Sequence, residues 1–317
     1  MQEKIKVLID TDIGDDIDDA IAIAYALNCP ELDVLGITTV YLNAPARARM
    51  TKSLLRAAGR DDIPVHPGSS ATIMEPAPKD FVPIQYFPDM DDMPVGPDNS
   101  GVQFLYDTIC ANPGDVVLLA LGAFTNVALL LKEHPDVVPL LKEIVWMGGA
   151  FYYHFLTWNV CCDIESAAMV LSSGVPVRIV SRDVCLPCLM PISQIDEMRA
   201  SAHPVHQELI RLIDAWWNKH DFYQKGDCPI LFDSLAATAV FTDEFLTYRD
   251  ERVLVETKGE FTRGMTFAVN CDGYNRFPGQ KAYPAAGDVP VFKVADTVKA
   301  DEYVKHHFER LIAWRDK

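Results

Sequence analysis

Six aspartates fall in the ten residues from Asp10 to Asp19, within the stretch DTDIGDDIDDA. Ionised carboxylates repel one another, and a low-dielectric setting makes them very costly unless a positive group compensates. No Lys or Arg occurs from Val7 through Ala46. One chemistry that uses such a cluster is ligation of a hard divalent cation by oxygen atoms. A solvated acidic loop is the bland alternative. It fits poorly, because the run follows the apolar Ile5–Ile9 directly and leads into Ala20–Leu27, which is almost wholly apolar. The carboxylates are therefore expected between two buried elements.

Those elements set the fold class. Ile5–Ile9, Val34–Thr39, Val116–Leu121, Ile144–Met147 and Val175–Val180 read as buried strands. Between them Ile17–Leu27, Ala46–Ala58, Gly101–Ala111, Phe124–Leu131 and Ile164–Leu171 carry helical patterns. This alternation predicts an α/β fold with a mainly parallel central sheet flanked by helices, Rossmann-like in its core. In such sheets ligands bind beyond the carboxyl ends of the strands, where Asp10 and Asp12 would stand. Asp18 and Asp19 would open the following helix, whose N-terminal dipole offsets about one carboxylate and not four.

Two segments break the rhythm. Residues 74–98 hold six prolines and five aspartates and read as a long loop near the site. Residues 192–227 form a helical excursion ending in the aromatic-rich LIDAWWNKHDFYQKGD. Beyond Phe245, RVLVETKG and GMTFAVN alternate like antiparallel strands, and a last helix is expected over Val298–Arg315. With no evident linker, residues 1–317 are expected to form a single domain.

Composition narrows the partners. A net charge of -17 argues against nucleic acid and anionic membranes, both of which need basic patches. No apolar run reaches the roughly 18 residues of a membrane span, and the start does not read as a signal peptide, so a cytoplasmic protein is expected. Eight cysteines without a secretion signal suggest reduced thiols. Cys185 and Cys188 form a CxxC flanked by Pro187 and Pro191, which reads as buried or loop thiols rather than a zinc or thioredoxin-like pair.

The spacing of the acids rejects an EF-hand, since a loop starting at Asp10 has Gly14, Asp15 and Ile21 where acid or Asn, Gly and Glu are required. A haloacid dehalogenase-like phosphatase also opens with a strand and an aspartate pair, but Gly14 replaces its Thr or Val, and Gly226-Asp227 with Asp233 echoes its later motif imperfectly. The opening instead resembles the DxDxGxDD signature of the inosine-uridine preferring nucleoside hydrolase family, with Asp10, Asp12, Gly14, Asp18 and Asp19 matching. GITTVYLN, LLALGAFTNVALLL, VWMGGAF, TWNVCCDIESA and FDSLAA are similar to further segments of that family, in the same order.

The resemblance implies calcium-dependent hydrolysis of the N-glycosidic bond of ribonucleosides or related ribosides, releasing base and ribose, by a homodimer or homotetramer. It implies Asp12, Asp19 and Asp233 as ligands of a Ca2+ ion, with the Thr125 carbonyl completing the protein shell, and Asp12 as the base that activates water. Asp18, Asn43 and Asn159 would bind sugar hydroxyls and Trp158 would lie near the sugar. Asp10 would support the cluster. Asp16 falls in a loop longer than the family's shortest form, and its part is open. Two positions depart from the pattern: Thr157 replaces a Glu that contacts the sugar, and Phe232 replaces a His that aids departure of the base. Phe232, Trp217 and Tyr223 are accordingly candidates for a leaving-group pocket. A non-standard ribosyl substrate, or a metal-dependent sugar- or nucleoside-binding protein with weak turnover, is the alternative these departures raise.

Overall fold

The computed structural model describes residues 3–152, 155–269 and 290–314. One nine-stranded sheet organises them, in the order β3-β2-β1-β4-β5-β6-β9-β7-β8. Its strands are β1 (Ile5–Thr11), β2 (Leu32–Thr39), β3 (Val65–Pro67), β4 (Val116–Ala120), β5 (Glu143–Met147), β6 (Val177–Val180), β7 (Leu246–Val255), β8 (Thr266–Val269) and β9 (Val291–Val298). Pairing is parallel from β3 through β6 to β9, and antiparallel where β7 joins β9 and β8. The continuous apolar character of β1 and β4 follows from burial on both faces of the sheet centre.

Helices cover both faces. On one lie α1 (Asp18–Asn28), α2 (Ala44–Ala57), α8 (Ile192–Ala200), α9 (Pro204–Lys219), α10 (Phe232–Ala239) and α11 (Ala300–Ile312). On the other lie α3 (Gly101–Ala111), α4 (Thr125–Glu133) and α6 (Ile164–Ser172). The short α5 (Trp158–Cys161) and α7 (Arg182–Cys185) follow β5 and β6. Helix α1 is buried along its whole length, which explains its lack of a polar stripe. It packs against α10, and the Thr238 hydroxyl donates to the Tyr25 hydroxyl at 3.1 Å between them.

The strand and helix expectations hold within a few residues, and three differences have physical reasons. Strand β3 is only Val-His-Pro, too short for a periodic signal. In β9, VFKVADTV, polar side chains alternate with buried Phe292, Val294 and Ala295, yet it pairs parallel to β6 and so extends the main sheet before β7 turns back. The helical excursion ends at Lys219 rather than 227, and residues 220–227 form a turn that leads back toward α10. The far ends of two expected elements, Asn270 and Arg315, lie outside the described residues.

Strand order reverses between β1 and β4, so the crevice beyond their carboxyl ends is the switch point at which open α/β sheets bind ligands. Asp12 follows β1 there, and Gly122 follows β4. A Cβ on Gly122 would come within 2.9 Å of the Asp12 backbone nitrogen and of its Oδ1, so a side chain would displace the carboxylate.

Candidate active site

Helices α1 and α10 each carry acids in the first turn, Asp18 and Asp19 on one and Asp233 on the other. Packing these helices side by side brings the three carboxylates together. All three are buried, and each can place an oxygen within 4.8 Å of the other two. This is the group among the described residues able to hold a metal ion. Of the expected ligands Asp19 and Asp233 stand in the trio; Asp18, expected at the sugar, stands with them, and Asp12 lies within electrostatic reach of Asp19.

The field is strongly acidic. Burial, and then the charges of Asp18 and Asp19, push the Asp233 carboxyl well above the usual range. Burial followed by Asp16 and Asp19 does the same to Asp18, and burial followed by Asp19 to Asp12. Asp19 is pushed up to about 6 by burial, although the Thr11 hydroxyl donates to it. Burial also raises Asp16 to about 6 against the opposing Ile17 N–H, which donates to its Oδ1 at 2.7 Å. Asp10 rises to about 7: burial outweighs hydrogen bonds to Oδ1 from the Thr38 hydroxyl (2.6 Å) and the Asn126 amide (2.7 Å). Carboxylates so disposed favour a proton or a cation. The donor set, all oxygen and all buried, fits a hard divalent cation.

One basic residue does reach the acidic loop, and the sequence reading missed it. Arg47 is fully buried on α2. Its guanidinium donates to the carbonyls of Asp12, Ile13 (2.8 Å) and Tyr41 (3.0 Å), and to the Asp15 carboxylate at 2.7 Å. It fixes the backbone of the loop more than it neutralises the trio. The proline-rich segment closes the loop from the other side. Gln85 is buried, its amide donating to the carbonyls of Asp15 (3.2 Å) and Asp16 (2.6 Å), and its backbone N–H to Gly14 at 3.0 Å. Gly14 has φ +129°, and a Cβ there would lie 2.6 Å from the Cβ of Pro83. Only glycine meets both conditions.

The remaining predicted residues divide into two groups. Asn159 is buried behind the crevice, its amide nitrogen donating to the carbonyls of Leu121 and Met147 (2.9 Å). Asn43 caps α2, accepting from the Ala46 N–H at 3.1 Å and donating to the Phe81 carbonyl at 2.7 Å. The Thr125 hydroxyl donates to Asp163 (2.7 Å), which also caps α6 and holds the Ile73 N–H. The Thr157 hydroxyl is buried without a hydrogen-bond partner. Trp158 is 60% exposed at the mouth, edge-on to Tyr41.

Trp217 is buried in the core, and its indole N–H donates to the Asp227 carbonyl at 3.0 Å. Phe232, half-buried, packs on the same core. Tyr223 is half-buried on Trp216 (centroids 4.6 Å), and its phenol is pushed up to about 12 by burial and by Asp16 and Asp18. Cys185 and Cys188 are buried thiols.

Residues 7–305 match the sequence model of the inosine-uridine preferring nucleoside hydrolases. The chain belongs to that family. It is 32% identical over 326 residues to a probable uridine nucleosidase of Arabidopsis thaliana, covering 98% of each chain. It is likewise 32% identical over 279 residues to a pyrimidine-specific ribonucleoside hydrolase of Escherichia coli, covering 83% of this chain and 88% of that one. A solved plant nucleoside hydrolase superimposes with a TM-score of 0.83 at 26% identity, covering 98% of this chain and all of that one. This nucleoside hydrolase is thus an N-glycosyl hydrolase, with an acidic cluster at the switch point of its sheet. No helix of the described residues is long and apolar enough to cross a membrane.

Proposed function

We propose that this enzyme hydrolyses the N-glycosidic bond of pyrimidine ribonucleosides with the help of one calcium ion. The observation that carries this reading is the meeting of Asp18, Asp19 and Asp233 at adjoining helix N-termini, buried and with no cationic side chain of the described residues among them. The relatives named for uridine and pyrimidine nucleosides support the substrate class. Asp19 and Asp233 would hold the ion with Asp18 or Asp12 as the third carboxylate, and the Thr125 carbonyl would join them. A divalent cation bound there supplies positive charge that lets the carboxylates ionise and makes nearby water more acidic.

Asp12, raised by burial and held at the backbone by Arg47, takes the proton from the attacking water. Asn159 has both amide hydrogens engaged on carbonyls, so it meets a sugar hydroxyl as an acceptor through Oδ1. Asn43 keeps one donor and one acceptor position free for the same purpose. The unpartnered Thr157 hydroxyl offers the sugar a neutral contact where the family has a carboxylate. We further propose a cytoplasmic homo-oligomer built from one domain per chain.

Release of reducing sugar from uridine, cytidine and inosine, with and without chelator, tests the reading. Turnover of a pyrimidine nucleoside that stops with chelator and returns with calcium is expected, as is its loss in Asp12→Ala and Asp233→Ala. Turnover indifferent to chelator and to Asp12→Ala would overturn the mechanism. Ribose binding without turnover of any nucleoside would favour a binding protein, the reading that Phe232 raises.

A further inference from the structure

We propose that Tyr41 is a positioning residue for the sugar: it holds the exposed Trp158 ring over the crevice, and the two rings form an apolar corner that seats the C–H face of the ribose. The inference rests on the nucleoside hydrolase reading above. Sequence spacing singled out Trp158 and not Tyr41.

Tyr41 follows β2, Trp158 opens α5, and their backbones are pinned on opposite sides of the switch point. The Tyr41 N–H donates to the Ser69 carbonyl at 2.8 Å. Its carbonyl accepts from Arg47, whose guanidinium also holds the Asp12 carbonyl. The N–H of Val40, just before it, donates to the Thr11 carbonyl at the end of β1 at 3.0 Å. On the other side the Asn159 amide, next to Trp158, donates to the carbonyls of Leu121, after β4, and Met147, at the end of β5. In the sheet order β2-β1-β4-β5, three spacings of about 4.8 Å separate β2 from β5. Yet the Tyr41 and Trp158 rings meet edge to face, with centroids 6.4 Å apart at 87°. Their contact therefore spans the ends of β1 and β4, where Asp12 and Gly122 stand.

The backbone is strained where it presents the first ring. Tyr41 and Leu42 are both left-handed, at φ +73° and +58°, a costly conformation that persists only where its surroundings impose it. The bonds to Ser69 and Arg47 impose it at Tyr41. Trp158 is exposed, and among the described residues Tyr41 is the ring that it touches. Without that ring the indole is free to change rotamer. Asn43 and Asn159, the amides read above as meeting sugar hydroxyls, are two residues and one residue further along the chain. A furanose held there by its hydroxyls still has carbon-bound hydrogens to cover, and aromatic rings are the side chains that cover them with the least loss of freedom.

Uridine kinetics and ribose titrations of the calcium-loaded enzyme separate this role from a structural one. Tyr41→Ala should raise KM for uridine by about three- to tenfold and leave kcat within about twofold, the pattern of lost uniform binding. Tyr41→Phe, which keeps the ring, should match wild type. Tyr41→Gly removes the ring and relieves the left-handed strain, so it should bind as weakly as Tyr41→Ala while resisting urea better. Because Tyr41 acts through Trp158, adding Tyr41→Ala to Trp158→Ala should cost nothing further. D-Ribose should change the tryptophan fluorescence of wild type and not of Trp158→Phe, and uracil should change neither. An unchanged KM in Tyr41→Ala, an equal loss in Tyr41→Phe, additive losses in the double variant, or fluorescence that follows uracil and not ribose would each overturn the proposal while wild-type turnover of uridine left the hydrolase reading standing. A wild type that neither turns over uridine nor binds ribose would overturn that reading, and this proposal with it.

Discussion

Replacing Asp10 by Asn should convert a pH-dependent cost into a constant one. Asp10 Oδ1 already accepts from Thr38 and Asn126, while Oδ2 is buried without a partner. Its pKa lies near 7 in the folded chain against an ordinary value of 3.8. Between those values the folded chain keeps a proton that the unfolded chain has lost, so stability falls as pH rises through that window and levels off above it. About three pKa units at 1.36 kcal/mol each correspond to a loss of about 4 kcal/mol across the window. Asn126 and Thr38 can bond an Asn oxygen equally well, and the new amide nitrogen lacks a partner just as the protonated Oδ2 does. The variant should therefore exceed wild type by about 1.6 kcal/mol at pH 5, already about 1.2 pH units above the unfolded value, and by roughly 4 kcal/mol at pH 8. Urea denaturation from pH 5 to 8 in chelator measures both curves, with the other acids common to each. Parallel curves would refute the assignment of that proton to Asp10.

Three further outcomes follow from the same geometry. Arg47→Met strands the Asp15 carboxylate and three carbonyls and should cost about 3–5 kcal/mol in urea denaturation, whereas Lys6→Met, which breaks only the exposed pair with Asp115, should cost under about 1 kcal/mol. Gly14→Ala drives a Cβ toward Pro83 at positive φ and should lose about 1–3 kcal/mol while exposing residues 74–98 to limited proteolysis. Asp18→Asn, Asp19→Asn and Asp233→Asn should each weaken calcium binding in calorimetry by more than about tenfold. Asp16→Asn, outside the trio, should weaken it less.

Legibility in the sequence followed the length and periodicity of each signal. Strands β1 and β4 and helix α1 are long apolar runs and were readable. The three residues of β3 gave no period to detect, and the polar alternation of β9 concealed that it extends the parallel sheet. The acids Asp10 to Asp19 declared a site because they are neighbours in the chain. Asp233 lies far along it, and only the likeness of FDSLAA to a family segment linked it to the others. Arg47 was hidden for a different reason. It sits in ARARM on a helix with Arg49 two positions on, and composition cannot say which guanidinium turns inward. Trp217, an aromatic upstream of FDSLAA, packs in the core.

The placement of Arg47 bears on why the cluster needs an external cation at all. A guanidinium set among Asp18, Asp19 and Asp233 would satisfy them and close the site. Here it lies beneath the loop, with three of its hydrogen bonds on backbone carbonyls and one on Asp15. It holds the chain in the curve that brings Asp12, Asp18 and Asp19 together, while only partly offsetting the charges of Asp12 and Asp19. The two helix N-termini that converge on the trio contribute only partial charges, which fall short of three carboxylates. Positive charge and curvature are thus separated: the protein supplies the geometry and leaves the neutralisation to a ligand. Any substitution that brings a basic side chain into the trio should stabilise the fold without calcium and abolish calcium binding together.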